Sequence, residues 1–163
     1  MPGPIHAYLS ADHDRVGALL ERARQRGADP AQDAATWATF GEELARHIGR
    51  EDRILLREVR RVDRRSLPGQ ARMREEHAEL LALAASEPSD ATLARVAELF
   101  AAHSRMEEAP GGMFELCERA LASRADEVLG ELRRAPPAPV RPTPGGAAPH
   151  RPQGSPSVRT RGR

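Results

Sequence analysis

The sequence predicts an all-α protein, an up-down-up-down four-helix bundle with a short C-terminal helical extension. Three observations carry that expectation. Hydrophobic residues make up 39% of the chain but aromatic residues only 3%. The core must therefore be built from Leu, Ala, Val and Met, whereas strands draw on aromatic and β-branched types. Apolar residues recur at spacings of three and four along most of the first 134 residues, the mark of a buried helix face. The breaks between these stretches are short, and short loops make sequential helices antiparallel neighbours.

Each element follows from its punctuation. The first helix is expected from about Ala7 to Arg26, with Gly27 as its stop. Asp29-Pro30 reads as an N-cap followed by proline in the first turn, and that helix runs to about Arg65. Pro68-Gly69 ends the connection, and a third helix spans about Gln70 to Ala85. Pro88-Ser89-Asp90 stops and caps, so the fourth helix covers about Thr92 to Glu108. Ala109-Pro110-Gly111-Gly112 breaks the chain before a short helix from Met113 to Leu121. Ser123 with Asp126 resembles a capping box for a last helix ending near Arg134.

From Ala135 to Arg163 the composition changes to Pro, Gly and Arg, with five Arg and no acid. Such a segment cannot bury enough apolar surface to offset its ordering entropy and is expected to be a disordered tail. The net charge is +1, so residues 1–134 carry −4 once the five tail arginines are set aside. The tail arginines are dispersed, with no aromatic residue for base stacking, so nucleic-acid binding is not expected. A single cysteine, Cys117, excludes a disulfide framework. The N-terminus lacks the basic and apolar regions of a signal peptide, and no apolar run approaches the roughly 20 residues of a membrane span. A cytoplasmic location is expected, with no membrane partner.

The inward stripes carry the chemistry. They read Leu9, His13, Val16, Leu20 and Ala23; then Trp37, Phe40, Leu44, His47, Glu51, Leu55 and Glu58; then Met73, His77, Leu80 and Ala84; then Leu93, Val96, Phe100, His103 and Glu107. Each helix places one histidine mid-stripe, and two of them add a glutamate four residues later. Counting residues from the turns at 1.5 Å each sets the six polar side chains within about a turn of one height. A dry core does not accept unpaired carboxylates. Bound cations resolve the conflict, and imidazole with carboxylate and no thiolate suits iron, manganese or zinc.

This pattern resembles the hemerythrin-like (HHE cation-binding) family over about Ile5 to Leu132. The matching pieces are DHDR with His13, HIGREDRILL with His47 and Glu51, REEHAELLAL with His77, and HSRMEE with His103 and Glu107. The resemblance implies two non-haem iron ions bridged by two carboxylates and an oxo or hydroxo group. It implies binding or sensing of oxygen, nitric oxide or peroxide, or else redox turnover or iron donation for repair of iron–sulfur centres. Oxygen carriers have H-x-x-x-H on the third helix, and here Met73 stands at the upstream position. One iron would then have fewer protein ligands and a more open position. The carriers also use an i+5 acid, which would select Glu108, whereas the stripe selects Glu107.

Neighbouring polar residues have plainer expectations. Glu58 is read as a solvated partner of Arg57 or Arg61 near the bundle end. Asp12, Asp14 and Asp52 flank candidate ligands, and a role in holding the outer N–H of an imidazole is open, because ligating imidazoles usually donate that N–H to a carboxylate or carbonyl; adjacent helix positions point apart, however, which favours solvent. His6 is read as a surface residue, and Cys117 and Tyr8 as packing residues.

Overall fold

A computed structural model of the chain describes residues 2–135. The expected disordered tail lies outside the described residues but for Ala135. Among the described residues there is no strand, and α-helices pack together as a bundle. They are α1 (Pro4–Arg24), α2 (Pro30–Arg50), α3 (Leu56–Val62), α4 (Gln70–Ala84), α5 (Asp90–Glu108), α6 (Met113–Ala120) and α7 (Ala125–Arg134). A π-turn, Glu51–Leu55, joins α2 to α3, and a 3₁₀ turn, Ala122–Arg124, precedes α7. No helix among these residues is long and apolar enough to cross a membrane.

Local signals set most boundaries. Asp29 caps α2 by accepting from the N–H groups of Ala31 and Gln32 at 3.0 and 3.4 Å. Ser89 caps α5 through the Thr92 N–H at 3.1 Å. Gly69 adopts φ +81° ahead of α4, a left-handed geometry that glycine reaches without strain.

Four local expectations are corrected. Helix α1 begins at Pro4 rather than Ala7, because proline suits a first helical turn and Ile5 is fully buried there. It ends at Arg24, and Gly27 is not left-handed but donates its N–H to Asp33. The second long helix stops at Val62, where Asp63 turns extended and accepts the Arg65 N–H at 3.0 Å. Ser123 does not cap α7; the Arg124 side chain grips Glu127 instead, with two contacts of 2.9 Å.

The core has two apolar clusters separated by a polar layer. One cluster gathers Val16 and Leu20 of α1, Phe40 and Leu44 of α2, Leu80 of α4 and Val96 and Phe100 of α5. The other gathers Ile5 and Leu9 of α1, Leu55 and Val59, Met73 of α4, and the apolar faces of α6 and α7. Helices α6 and α7 thus close one end of the bundle, and their turn from α5 is tight. Gly111 there has φ +74°, and a Cβ on Gly112 would lie 2.6 Å from the Glu107 carbonyl oxygen.

Glu58 departs from its expectation. It is fully buried, with Arg57 and Arg61 on Oε1 and Arg124 on Oε2 at 2.8–2.9 Å. The expected arginines are there, but α7 brings a third from far along the chain and covers the carboxylate. Burial raises the Glu58 carboxyl, yet the three guanidinium groups outweigh it and hold it below its ordinary value.

Candidate metal centre

The polar layer between the clusters contains all six residues singled out in the sequence. His13, His47, Glu51, His77, His103 and Glu107 are each at most 3% exposed. Their donors form two overlapping groups, His13–His47–Glu51–Glu107 and Glu51–His77–His103–Glu107. Within each group the donor atoms all lie within 4.8 Å of one another, a spacing at which they could hold a metal ion. Both glutamates belong to both groups.

The two oxygens of Glu51 divide between the groups. Oε1 lies 3.2 Å from His47 Nε2 and Oε2 lies 3.1 Å from His77 Nε2. Glu107 Oε2 lies 3.2 Å from both His13 Nε2 and His103 Nε2, and its Oε1 is 4.0 Å from His77 Nε2. None of these contacts has hydrogen-bond alignment: all four Nε2 atoms and all four glutamate oxygens are buried without a hydrogen-bond partner. They are eight of the twelve such side-chain atoms among the described residues. Each would ordinarily cost about 1–3 kcal/mol, and eight converging on one spot could be satisfied together by a bound metal ion.

The π-turn contributes to this placement. The Leu56 N–H bonds to the Glu51 carbonyl, one residue wider than an α-turn. Glu51 then faces the layer while Asp52, beside it, reaches across to α4. His13 is also walled by aromatic rings. Phe114 of α6 stacks on it at 5.3 Å, and Phe100 of α5 meets it edge-on at 5.6 Å.

Comparison with known proteins adds no relative. No family model, curated protein or solved structure matches the chain. The chemistry of the centre is therefore argued from its donors.

Those donors are held from outside by residues that sequence reasoning favoured in solvent (Asp12 and Asp52), offered as an alternative inner ligand (Glu108) or passed over (Glu76). The Nδ1 atoms of His47, His77 and His103 lie 3.1, 3.2 and 3.1 Å from Asp12, Asp52 and Glu76. His13 Nδ1 lies 2.5 Å from Glu108. Asp12 is only 7% exposed and also takes Arg15 and Arg50, each at 2.7 Å. The solvent reading is thus corrected for Asp12 and Asp52 and holds for Asp14, which is exposed. An adjacent helix position points away from the centre, but it points into the seam with the next helix. The pair Glu107 and Glu108 separates in the same way: Glu107 joins both inner groups and Glu108 takes the outer nitrogen of His13. A usable signal was present: an acid directly before each lone His, and directly after each H-x-x-x-E.

The charges agree with this geometry. Burial lowers His47, but the Glu51 charge and the hydrogen bond to Asp12 outweigh it and raise its pKa to about 10. Burial likewise opposes His77, where Asp52 and Glu51 prevail and again raise it to about 10. Glu51 is held well below the carboxylate range, because the imidazoles around it overcome its burial. Glu51 thus stays ionised, and in the metal-free chain His47 and His77 hold protons that supply the positive charge beside it, a charge that a bound cation would replace.

The remaining candidates fall outside the two groups. His6 is half-buried, with its ring edge-on to Phe114 at 5.7 Å. Cys117 is fully buried in the cluster of Ile5, Leu9 and Met73, and desolvation pushes its thiol up, as expected of an inert core cysteine. Tyr8 packs against the cluster that α6 and α7 close, with the guanidinium groups of Arg50 and Arg133 over its ring at 5.8 and 6.0 Å.

Proposed function

We propose that this chain is a non-haem di-iron protein of the hemerythrin-like kind that binds or senses oxygen, nitric oxide or peroxide. The observation that carries the reading is the set of eight buried, partnerless donor atoms on six side chains, whose residues form two groups of four that share both glutamates. His13 and His47 would hold one ion, His77 and His103 the other, and Glu51 and Glu107 would bridge them. Imidazole and carboxylate donors without thiolate suit iron. The four long helical stretches would form the up-down-up-down bundle of the family, with residues 1–134 as the di-iron unit, α6 and α7 as its extension, and residues 135–163 as an appended tail. The buried free thiol of Cys117 fits a reducing, cytoplasmic setting.

When bound, the ion pair supplies redox chemistry and Lewis acidity. The chain's own residues do the rest. The two glutamates offset the cationic charge, the four imidazoles orient it, and the apolar clusters on either side exclude water. Each ion would receive two imidazoles and two shared carboxylates, fewer protein donors than an octahedral ion accepts. That count leaves room for a small exogenous ligand. It also favours a second reading, a di-iron enzyme that consumes peroxide or nitric oxide, over a closed storage site; donation of iron to iron–sulfur proteins under repair is a third.

The test is anaerobic loading with ferrous iron, then metal analysis and optical spectra before and after oxygen or nitric oxide. Two iron ions per chain and a gas-dependent spectral change are expected. Retention of zinc alone, with no change on exposure to either gas, overturns the reading. Steady consumption of peroxide or nitric oxide beyond one equivalent per site selects the enzyme. Faster iron transfer to an apo acceptor protein than to free chelator selects the donor.

A further inference from the structure

Each helical strand of the centre gives one histidine inward and one carboxylate sideways. Asp12 of α1 meets His47 of α2, and Asp52 of the π-turn meets His77 of α4. Glu76 of α4 meets His103 of α5, and Glu108 of α5 meets His13 of α1. The contacts run head to tail around the bundle and close on themselves. Each seam between neighbouring helices of the centre holds one of them.

The sequence carries the same order twice. Asp12-His13 is followed by His47-x-x-x-Glu51-Asp52, and Glu76-His77 by His103-x-x-x-Glu107-Glu108. At about 100° per residue, positions −1 and +5 from a histidine lie roughly 100° and 140° around the helix from it, on the flanks that face neighbours. Within each half, the first acid reaches the histidine of its own helical hairpin and the last acid reaches the other hairpin. The two halves also agree in environment. Asp12 and Glu76 are 7% and 8% exposed and held by arginines, Arg72 standing 2.7 Å from Glu76. Asp52 and Glu108 are 33% and 36% exposed.

The chemistry of these contacts is directional. An ionised carboxylate only accepts hydrogen bonds, so the single proton of a neutral imidazole must sit on Nδ1. In the metal-bound state, where a cation takes the place of any Nε2 proton, the Nε2 lone pair faces the centre. We propose that Asp12, Asp52, Glu76 and Glu108 form a closed ring of positioning carboxylates that presents four Nε2 lone pairs to two divalent cations, with Asp12 and Glu108 serving one ion and Asp52 and Glu76 the other. The proposal rests on the di-iron reading above and adds the pairing of outer acids with ions. Removal of an outer partner of this kind weakens metal binding by about tenfold to a hundredfold.

The test uses the full chain, loaded anaerobically with ferrous iron. Equilibrium dialysis reads affinity and stoichiometry, and proton NMR reads the exchangeable imidazole N–H signals of the ferrous protein. The double variant Asp12→Ala with Glu108→Ala should weaken one ion and spare the other, and Asp52→Ala with Glu76→Ala should do the reverse. The mixed double, Asp12→Ala with Glu76→Ala, should weaken both. Each single alanine variant should shift the N–H signal of its own histidine. Asp12→Asn keeps an acceptor oxygen and should restore that signal with part of the affinity, which a loss of packing alone would not produce. The ring is overturned if the wild-type chain binds two ions while all three doubles behave alike, or if the N–H signals stay in place. A wild-type chain that binds no iron overturns the di-iron reading and the ring with it.

Discussion

Glu51 should be worth two ions where His13 is worth one. The Glu51 oxygens lie 3.2 Å from His47 Nε2 and 3.1 Å from His77 Nε2, one from each group. Glu51→Ala therefore leaves both groups with three donors and removes one negative charge from each. His13→Ala leaves the group of His77 and His103 complete. A loss of about a hundredfold in affinity at a site amounts to roughly 2.7 kcal/mol. Ligand held at about one hundred times its dissociation constant stabilises the folded state by the same amount, about 2.7 kcal/mol per site. Two sites each at that ratio of ligand to dissociation constant give the wild-type chain roughly 5 kcal/mol of metal-linked stability, or about 15–20 °C in midpoint for a domain of this size. The assay is the thermal midpoint with iron minus the midpoint without it, measured within each variant. That difference cancels any damage to the metal-free fold. His13→Ala should keep about half of the shift and one ion. Glu51→Ala should keep almost none, with helical circular dichroism largely intact. A Glu51→Ala protein that retains one ion and half of the shift would refute the shared role of this carboxylate.

Other outcomes follow from the same coordinates. Glu58 lies below its ordinary value of 4.5 in the folded chain, so as pH falls the unfolded chain binds the proton first. Its contribution should be complete above about pH 4.5 and lost as pH falls through the lowered value; the midpoint difference between wild type and Glu58→Gln should shrink from pH 7 to pH 3, and a constant difference contradicts the ion cluster. Gly112→Ala sets a methyl against the carbonyl oxygens of Met106, Glu107 and Ala109 at 2.6–2.7 Å; it should cost about 1–3 kcal/mol in denaturant melts, and an unchanged midpoint contradicts the tight α5–α6 turn. Deleting the chain from Ala135 onward should leave metal content and thermal midpoint unchanged; a marked loss of either means that the tail packs against the bundle.

Position along the chain governed what could be read in advance. The inward stripe of the second long helix was legible because helical periodicity alone says which residues share a face, although its last member, Glu58 in α3, was read as solvated. The third partner of Glu58 was not legible, because Arg124 comes from a stretch after α6 whose packing has no local signal. The π-turn at Glu51–Leu55 was likewise hidden. Nothing in HIGREDRIL marks one wider hydrogen bond, and its energy is decided by what the turn packs against.

The amino-acid sequence by itself determined the helical class, the caps at Asp29 and Ser89, and the six inner residues. Each of these depends on spacing within one helix. Only the tertiary structure decided what lies in the seams between helices. It placed Asp12, Asp52, Glu76 and Glu108 on the outer nitrogens and so separated Glu107 from Glu108. A side chain 100° off the inward stripe faces solvent or a neighbour according to how that neighbour is rotated, and that rotation is set by packing across the whole bundle.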